Sequence, residues 1–94
     1  MSDQTVDSLD KLNQRLLSFA RERDWEQFHS PKNLAMALIA ECAELVEHFQ
    51  WLTEQQSKQL DADALHNIGE ELADIVIYSL SMANYLQLDL SETV

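Results

Sequence analysis

The sequence predicts an all-α fold, a helical bundle of three long helices to which the last residues of the chain could add a short fourth. Strands joined by tight turns normally require several glycines and prolines, and this chain of 94 residues contains one of each. Apolar residues also recur every three or four positions in three long stretches. A chain of this length has room for one hydrophobic core, so residues 1–94 are expected to form a single domain.

The first helix is predicted at about residues 6–22, after a loose polar end at residues 1–5. Its apolar positions follow the helical period: Val6, Leu9, Leu12, Leu16, Phe19 and Ala20. Residues 21–32 break the period, and Pro31 biases Ser30 away from helical geometry. This segment is therefore expected to be a loop or broken turn that leads into the second helix.

The second helix is predicted over Leu34–Leu52 and is apolar on nearly all sides. At about 100° per residue, one broad face should form the core: Leu34, Leu38, Cys42, Leu45, Val46, Phe49 and Leu52. A neighbouring stripe contains Ala37, Glu41, Glu44, His48 and Trp51. Met36, Ala40 and Ala43 cover much of the remaining side, which predicts a homo-oligomer, either a dimer or a tetramer. His48 is expected to be solvated or to face a partner subunit rather than to bind metal.

The third helix is predicted from Asp63 to about Leu88, after a polar connection at residues 53–61 that has room for one helical turn. Its expected core face contains Ile68, Leu72, Ile75, Val76, Ser79, Met82, Ala83 and Leu86. The adjacent stripe contains Glu71, Asp74, Tyr78 and Tyr85. Gly69 inside this helix costs about 1 kcal/mol relative to alanine. Residues 89–94 could open a fourth helix with Ser91 as its cap.

Two pairs of acids, Glu41 with Glu44 and Glu71 with Asp74, are each spaced three residues apart on a helix. On facing antiparallel helices the pairs can converge on one pocket. Four carboxylates without a cation would repel one another or take up protons. Mg²⁺, or Mn²⁺ in its place, prefers oxygen ligands and removes that repulsion, whereas zinc fits less well without a cysteine cluster. Acids at this spacing also occur on solvated helix faces, which is the alternative interpretation.

The formal net charge of −11 disfavours binding to nucleic acid polymers or to anionic membranes. An anionic substrate therefore requires cations held locally, either metal ions or a few lysine and arginine side chains. Cys42 is the one cysteine of the sequence, so it cannot form an intramolecular disulfide. No stretch has the pattern of a signal peptide or of a membrane span, and a cytoplasmic protein is expected.

Three segments carry a family resemblance: RDWEQFHSPKNLA at 23–35, AECAELVEHFQWL at 40–52 and GEELADIVIYSL at 69–80. They resemble the MazG-like, all-α nucleoside triphosphate pyrophosphatases, and within that family the dCTP pyrophosphatase branch. The family motif is EExxE followed later by EExxD. The second part is complete at residues 70–74, whereas Ala40 stands in place of the leading glutamate of the first part, as is usual in this branch. The resemblance extends over about residues 12–90.

The resemblance implies a four-helix arrangement completed by homo-oligomerisation, with catalytic carboxylates that bind Mg²⁺: Glu41, Glu44, Glu71 and Asp74. It implies that water attacks the α-phosphorus of a nucleoside triphosphate, dCTP or a related deoxynucleotide, and releases the monophosphate and pyrophosphate. Positions that match the substrate pocket are Trp25, Trp51 and Tyr78 for the base and sugar, and Lys32 and Asn33 near the phosphates.

Two departures from the family pattern bear on the substrate. Leu16 occupies a position where a relative has a pocket histidine, which leaves the base preference open. The basic tail of the branch is not in the sequence, so we expect either a truncated chain or phosphate neutralisation that relies more on metal. Two other functions stay open: hydrolysis of a different phosphoanhydride, and a non-catalytic helical module for oligomerisation or interaction.

Overall fold

The computed structural model describes residues 2–22 and 30–94, with side chains from residue 8 onward. The described residues form helices and connecting turns without a strand, which confirms the predicted all-α fold. The elements are α1 (Ser2–Glu22), α2 (Pro31–Glu47), α3 (Glu54–Ser57), α4 (Ala62–Tyr85) and α5 (Leu90–Thr93). Residues 2–5, expected to be loose, belong to α1, whereas the helical turn allowed for in the connection at 53–61 is present as α3.

The start of α2 follows the sequence signal. Ser30 has extended backbone angles (φ −115°, ψ 161°), as its position before Pro31 predicts, and its hydroxyl accepts a hydrogen bond from the Asn33 N–H at 3.1 Å. Pro31 occupies the first turn, where a missing N–H is not a loss. The helix therefore begins three residues before Leu34, the predicted start.

The end of α2 differs from the prediction. The helix ends at Glu47, and residues 48–52 continue as turns rather than as helix to Leu52. The His48 N–H donates to the Leu45 carbonyl at 3.2 Å, and the Phe49 N–H donates to the Val46 carbonyl at 2.9 Å, so the hydrogen bonds tighten from i−4 to i−3. The helical spacing of apolar residues continues past Glu47. That spacing gives no information on where the backbone hydrogen bonds change.

The ends of α4 are capped, and its carboxyl end also lies earlier than predicted. Asp61 accepts a hydrogen bond from the Ala64 N–H at 2.8 Å and begins the helix. The helix stops at Tyr85 rather than near Leu88, because Gln87 adopts a left-handed conformation with φ 59°. The Leu88 N–H then donates to the Ala83 carbonyl at 2.8 Å, which makes a Schellman turn.

The cap of α5 is Asp89, which accepts a hydrogen bond from the Glu92 N–H at 3.3 Å, and not Ser91 as the sequence predicted. Ser91 instead donates its hydroxyl proton to Asp10 of α1 at 3.1 Å. Asp89 caps the helix because the Glu92 N–H lies three positions after it, whereas Ser91 lies inside the turn.

Helices α2 and α4 pack against each other and form the main body of the molecule, while α1 lies against α4 and α5. The link between α1 and α4 includes a reciprocal pair of side-chain hydrogen bonds, at 2.9 and 2.8 Å, between Asn13 and Asn84. Among the described residues, four hydrophobic side chains are buried: Leu34, Ile68, Leu80 and Ala83. No described helix is both long enough and apolar enough to span a membrane.

The buried faces match the predicted core in part. Leu80 is buried although the period did not place it on the core face, because it lies on the side of α4 near α1. Five residues assigned to the core are exposed: Val46, Leu52, Leu72, Val76 and Leu86. The core assignment was wrong for them because one chain does not supply enough neighbours to cover both faces of α2 and α4.

Candidate metal centre

Three carboxylates from two helices converge where α2 packs against α4. Glu41 and Glu44 project from α2 and Glu71 projects from α4. One carboxylate oxygen from each lies within 4.8 Å of the other two. The spacing of Glu41 and Glu44 places both on one helix face, and the packing of the two helices brings Glu71 to the same point. We call this group the acid cluster.

Two oxygens of the acid cluster are buried without a hydrogen-bond donor. Both Glu41 Oε2 and Glu71 Oε2 are inaccessible to water and have no hydrogen-bond partner. A buried carboxylate oxygen without a partner is costly, and a cation among such oxygens compensates for both their burial and their mutual repulsion. The donor set consists only of oxygen atoms, which is the set that Mg²⁺ and Mn²⁺ prefer, so the residues present fit a hard divalent cation.

The surroundings of Glu41 disfavour its ionised form. Burial raises the pKa of its carboxyl from 4.5 to about 7, and the close approach of the Glu71 side chain and the negative charges of Glu44, Asp74 and Glu71 raise it further. Every one of these causes acts against ionisation. A nearby cation would act in the opposite direction and return Glu41 to the ionised form that a metal ligand requires.

The fourth predicted ligand, Asp74, lies outside the close group of three. It is half-buried on α4, one helical turn beyond Glu71, and its charge still raises the pKa of Glu41. The structure therefore brings Glu41, Glu44 and Glu71 together and leaves Asp74 beside them. The assignment of all four as metal ligands and catalytic residues stays a prediction.

The residues predicted to bind substrate lie at different distances from the acid cluster along the helices. Tyr78 is half-buried on α4, one turn beyond Asp74. Trp51 is 86% exposed in the turns after α2. Lys32 and Asn33 are exposed in the first turn of α2, about 12 Å along the helix axis from Glu41 at 1.5 Å per residue. Trp25 lies outside the described residues.

His48 faces the acid cluster, which the sequence did not predict. Its Nε2 atom lies 3.7 Å from Oε1 of Glu71, and the two side chains are only 28% and 18% exposed. His48 is therefore half-buried rather than fully solvated, and the alternative expectation, that it faces a partner subunit, stays a prediction. A signal was present in the sequence, because His48 lies four residues beyond Glu44 on the same stripe. The contact itself depends on how α2 and α4 pack, which the stripe does not specify.

Comparison with known proteins agrees with this architecture. A model of the MazG-like family matches residues 37–94, which include the acid cluster. The chain belongs to the MazG-like family. This confirms the resemblance that its motifs indicated.

Among curated relatives, dCTP pyrophosphatase 1 of Bos taurus is 38% identical over 95 residues, with 99% of this chain and 54% of that protein covered. The Homo sapiens protein of the same name is 41% identical over 85 residues, covering 88% and 50% of the two chains.

A solved structure also resembles this MazG-like chain. The crystal structure of a pyrophosphatase from Archaeoglobus fulgidus has a TM-score of 0.76 and 31% sequence identity, and the match covers 92% of this chain and 81% of that one. The chain spans about half the length of the curated relatives that it matches. The activities named for those relatives therefore bear on this MazG-like chain as a basis for a proposal.

Proposed function

We propose that this chain is a divalent-metal-dependent nucleoside triphosphate pyrophosphohydrolase, which converts dCTP or a related deoxynucleoside triphosphate to the monophosphate and pyrophosphate. One observation carries the proposal: three carboxylates from two helices meet within 4.8 Å, and two of their oxygens are buried without a partner. The relatives named dCTP pyrophosphatase 1 support the choice of substrate.

The proposed metal ligands are Glu41, Glu44, Glu71 and Asp74, with Mg²⁺ as the first choice and Mn²⁺ as the second. When bound, the ion neutralises phosphate charge that would otherwise repel both the attacking oxygen and this acidic protein. The carboxylates hold and orient the metal, and the wall of α2 and α4 keeps their buried oxygens away from bulk water. Phosphoryl transfer requires mainly positioning and charge neutralisation: the carboxylates supply the positioning of the metal, and the metal would supply the positive charge.

Glu41 is our choice for the group that accepts the proton from the attacking water. The water oxygen forms a bond to the α-phosphorus, the bond from that phosphorus to the bridging oxygen breaks, and pyrophosphate leaves with the bond's electron pair. The water proton passes to the carboxylate of Glu41. Glu41 is chosen because burial and its acidic neighbours favour the protonated form that this transfer produces.

The nucleoside is assigned to the aromatic residues near the cluster. Tyr78 is half-buried one turn beyond Asp74, and the indole of Trp51 is exposed and available to stack on a base. Base stacking on an aromatic side chain contributes about 1–3 kcal/mol. Trp25, Lys32 and Asn33 complete the proposed substrate set, the last two near the phosphates.

The experiment is a panel of nucleoside triphosphates incubated with and without Mg²⁺, with pyrophosphate release as the readout. We expect release from deoxynucleotides that depends on Mg²⁺ and is abolished by chelation. Glu71→Gln should reduce the rate by at least 100-fold, because it removes a ligand charge and a cluster oxygen. The matched control is Glu70→Gln on the neighbouring residue, whose carboxylate is 66% exposed and pairs with His66 at 2.9 Å.

Two results would count against the proposal. Equal losses in Glu70→Gln and Glu71→Gln would show that charge removal, not the cluster, matters. Absence of pyrophosphate release from every triphosphate, together with no Mg²⁺ binding, would favour the non-catalytic helical module. Hydrolysis of another phosphoanhydride in the panel, such as a modified nucleotide, would retain the reaction and change the substrate.

We also propose that the working unit is a homo-oligomer, a dimer or a tetramer. Exposed apolar side chains lie on the outer side of α2, where Met36, Ile39 and Val46 are 60%, 66% and 56% exposed. Others lie on α4, where Leu65 and Leu72 are 57% and 49% exposed. Contiguous apolar surface of this kind is typical of protein interfaces. We assign a second copy of the chain to this surface, since every copy exposes the same apolar side chains.

We propose no nucleic acid polymer or membrane partner, because of the net charge of −11.

A further inference from the structure

His48 is fixed in place by the backbone at the end of α2. It is the C-cap residue of that helix, and its N–H donates to the Leu45 carbonyl at 3.2 Å. The next two N–H groups, of Phe49 and Gln50, both donate to the Val46 carbonyl at 2.9 Å. The turn after the helix is therefore hydrogen-bonded, and the direction in which the His48 side chain leaves the backbone is set by it.

The imidazole of His48 reaches across to α4 and contacts one oxygen of Glu71. The distance from Nε2 to Oε1 is 3.7 Å, and both side chains are largely shielded from water. The other oxygen of the same carboxylate, Oε2, is the buried atom without a partner. The two oxygens of Glu71 are thus in different surroundings: Oε1 lies near the imidazole, at a distance longer than a hydrogen bond, and Oε2 is buried without a partner.

We propose that His48 is a positioning residue for Glu71, and this inference rests on the proposed function of the acid cluster. In this role Nε2 donates to the Glu71 carboxylate when the pair closes from 3.7 Å to hydrogen-bond distance, and the carboxylate stays beside Glu41 and Glu44. The glutamate side chain has three rotatable torsions, and repulsion from two neighbouring carboxylates favours its rotation away from them. A donor beside Oε1 of the carboxylate opposes that rotation before any cation arrives.

The physical basis is the same as for other metal-binding carboxylates. Partners that hydrogen-bond to a ligand fix its orientation, and their removal typically weakens metal binding by about 10–100-fold. His48 suits this role because it approaches from the helix opposite to Glu71, so one contact fixes a ligand of α4 relative to the two ligands of α2. The same contact also holds the two helices in register at the cluster.

The test compares Mg²⁺ binding to the metal-free full chain by calorimetry in three variants. His48→Ala removes the donor and should weaken Mg²⁺ binding about 10-fold. His48→Gln places an amide N–H at a reach similar to that of Nε2 and should remain within about 3-fold of the unchanged chain. The matched control is His66→Ala, because His66 makes the same kind of contact, with Glu70 at 2.9 Å, on the exposed side of α4. It should bind Mg²⁺ as the unchanged chain does.

Thermal melts of the metal-free variants give a second measurement, which separates weaker binding from loss of the fold. If His48→Ala does not fold, His48→Leu takes its place, because leucine fills similar space without a donor: an Mg²⁺ affinity about 10-fold weaker than that of His48→Gln supports the role of a donor, and equal affinities overturn it. Unchanged Mg²⁺ affinity in His48→Ala overturns the inference and leaves the proposed function standing. If the unchanged chain itself binds no Mg²⁺, the proposed function fails and the inference fails with it.

Discussion

At the scale of single residues, the surroundings of Glu41 disfavour the ionised form of its carboxyl. Its carboxyl is surrounded by three other acids, and one of its oxygens is buried without a partner. In the metal-free chain the folded state therefore favours the protonated form of Glu41 more than the unfolded state does. Stability and metal binding are linked through this residue, because the arrangement that destabilises the ionised carboxylate also prepares it to bind a cation.

The first prediction concerns the pH dependence of stability without metal. Because the folded-state pKa of Glu41 is raised from 4.5 to about 7, the folded chain binds more protons than the unfolded chain between those values. The contribution of Glu41 to stability is therefore greatest below about pH 4.5 and is lost as pH rises through 7. In chelator, the melting temperature should fall between pH 5 and pH 8, and Glu41→Gln should remove part of that fall.

Glu70→Gln is the control for this measurement, because it removes one negative charge at an exposed position of α4. Its pH dependence should match that of the unchanged chain. At pH 8, added Mg²⁺ should raise the melting temperature of the unchanged chain but not that of Glu41→Gln, since a ligand stabilises only the state that binds it. Identical pH profiles for the unchanged chain and Glu41→Gln would mean that Glu41 titrates normally.

The sequence predicted the composition of the site better than its geometry. The i, i+3 spacing placed Glu41 beside Glu44, and the helical period placed both next to the core. Nothing in that spacing specifies the rotation of α4 relative to α2, which brings Glu71 into the close group and leaves Asp74 beside it. The contact of His48 with Glu71 depends on the same rotation. The helical spacing thus identifies candidate ligands, whereas the packing of α2 against α4 determines which of them lie close together.

At the scale of elements, the starts of the three long helices lie earlier than predicted, by one residue in α4, three in α2 and four in α1, whereas α1 ends at residue 22 as predicted. The starts of α2 and α4 are set by Ser30 and Asp61, because capping side chains act on N–H groups only two or three residues away. The carboxyl ends of α2 and α4 lie earlier than predicted, since the apolar period continues across them. After α4 the chain turns at Gln87, which has a left-handed backbone conformation. Glycine is the usual residue at such a position, so the glutamine did not indicate a helix end.

The second prediction follows from where the one glycine lies. Gly69 occupies the interior of α4, and a Cβ added there meets nothing within 4 Å. Gln87 occupies the left-handed position after the same helix, which glycine adopts without strain. Gly69→Ala and Gln87→Gly should each stabilise the chain by about 1 kcal/mol. Such a change corresponds to about 4–8 °C in melting temperature for a domain of this size.

Urea unfolding of the metal-free chain at one protein concentration measures both variants and their combination. The gains should add, because the two sites are too far apart along α4 to share partners. Ala73→Gly is the reciprocal control at an exposed position of the same helix, and it should lower the free energy of unfolding by about 1 kcal/mol. A destabilised Gly69→Ala chain would indicate that a partner molecule approaches the helix at that point.

At the scale of the whole molecule, the chain does not cover its own apolar surface. The radius of gyration is 15.4 Å, against about 12 Å for a compact domain of 94 residues. Only four hydrophobic side chains are buried in the described part of the chain. A groove between α1 and α4 is also lined by apolar residues, among them Leu12, Leu16, Val76 and Ile77. Burial against another molecule would supply the hydrophobic stabilisation that a single copy lacks.

The third prediction is that solution mass depends on the outer face of α2. By light scattering the unchanged chain should have at least twice the 10.8 kDa of one copy. Ile39 is 66% exposed at the middle of the exposed apolar face, so Ile39→Glu should place a charge in the interface and dissociate it. Gln55→Glu adds the same charge at an exposed position of α3, a different helix, and should leave the mass unchanged. If the unchanged chain has the mass of one copy at micromolar concentration, its apolar faces are not covered by a second copy. If Ile39→Glu keeps the oligomeric mass, the interface lies elsewhere, with the groove between α1 and α4 as the next surface to test.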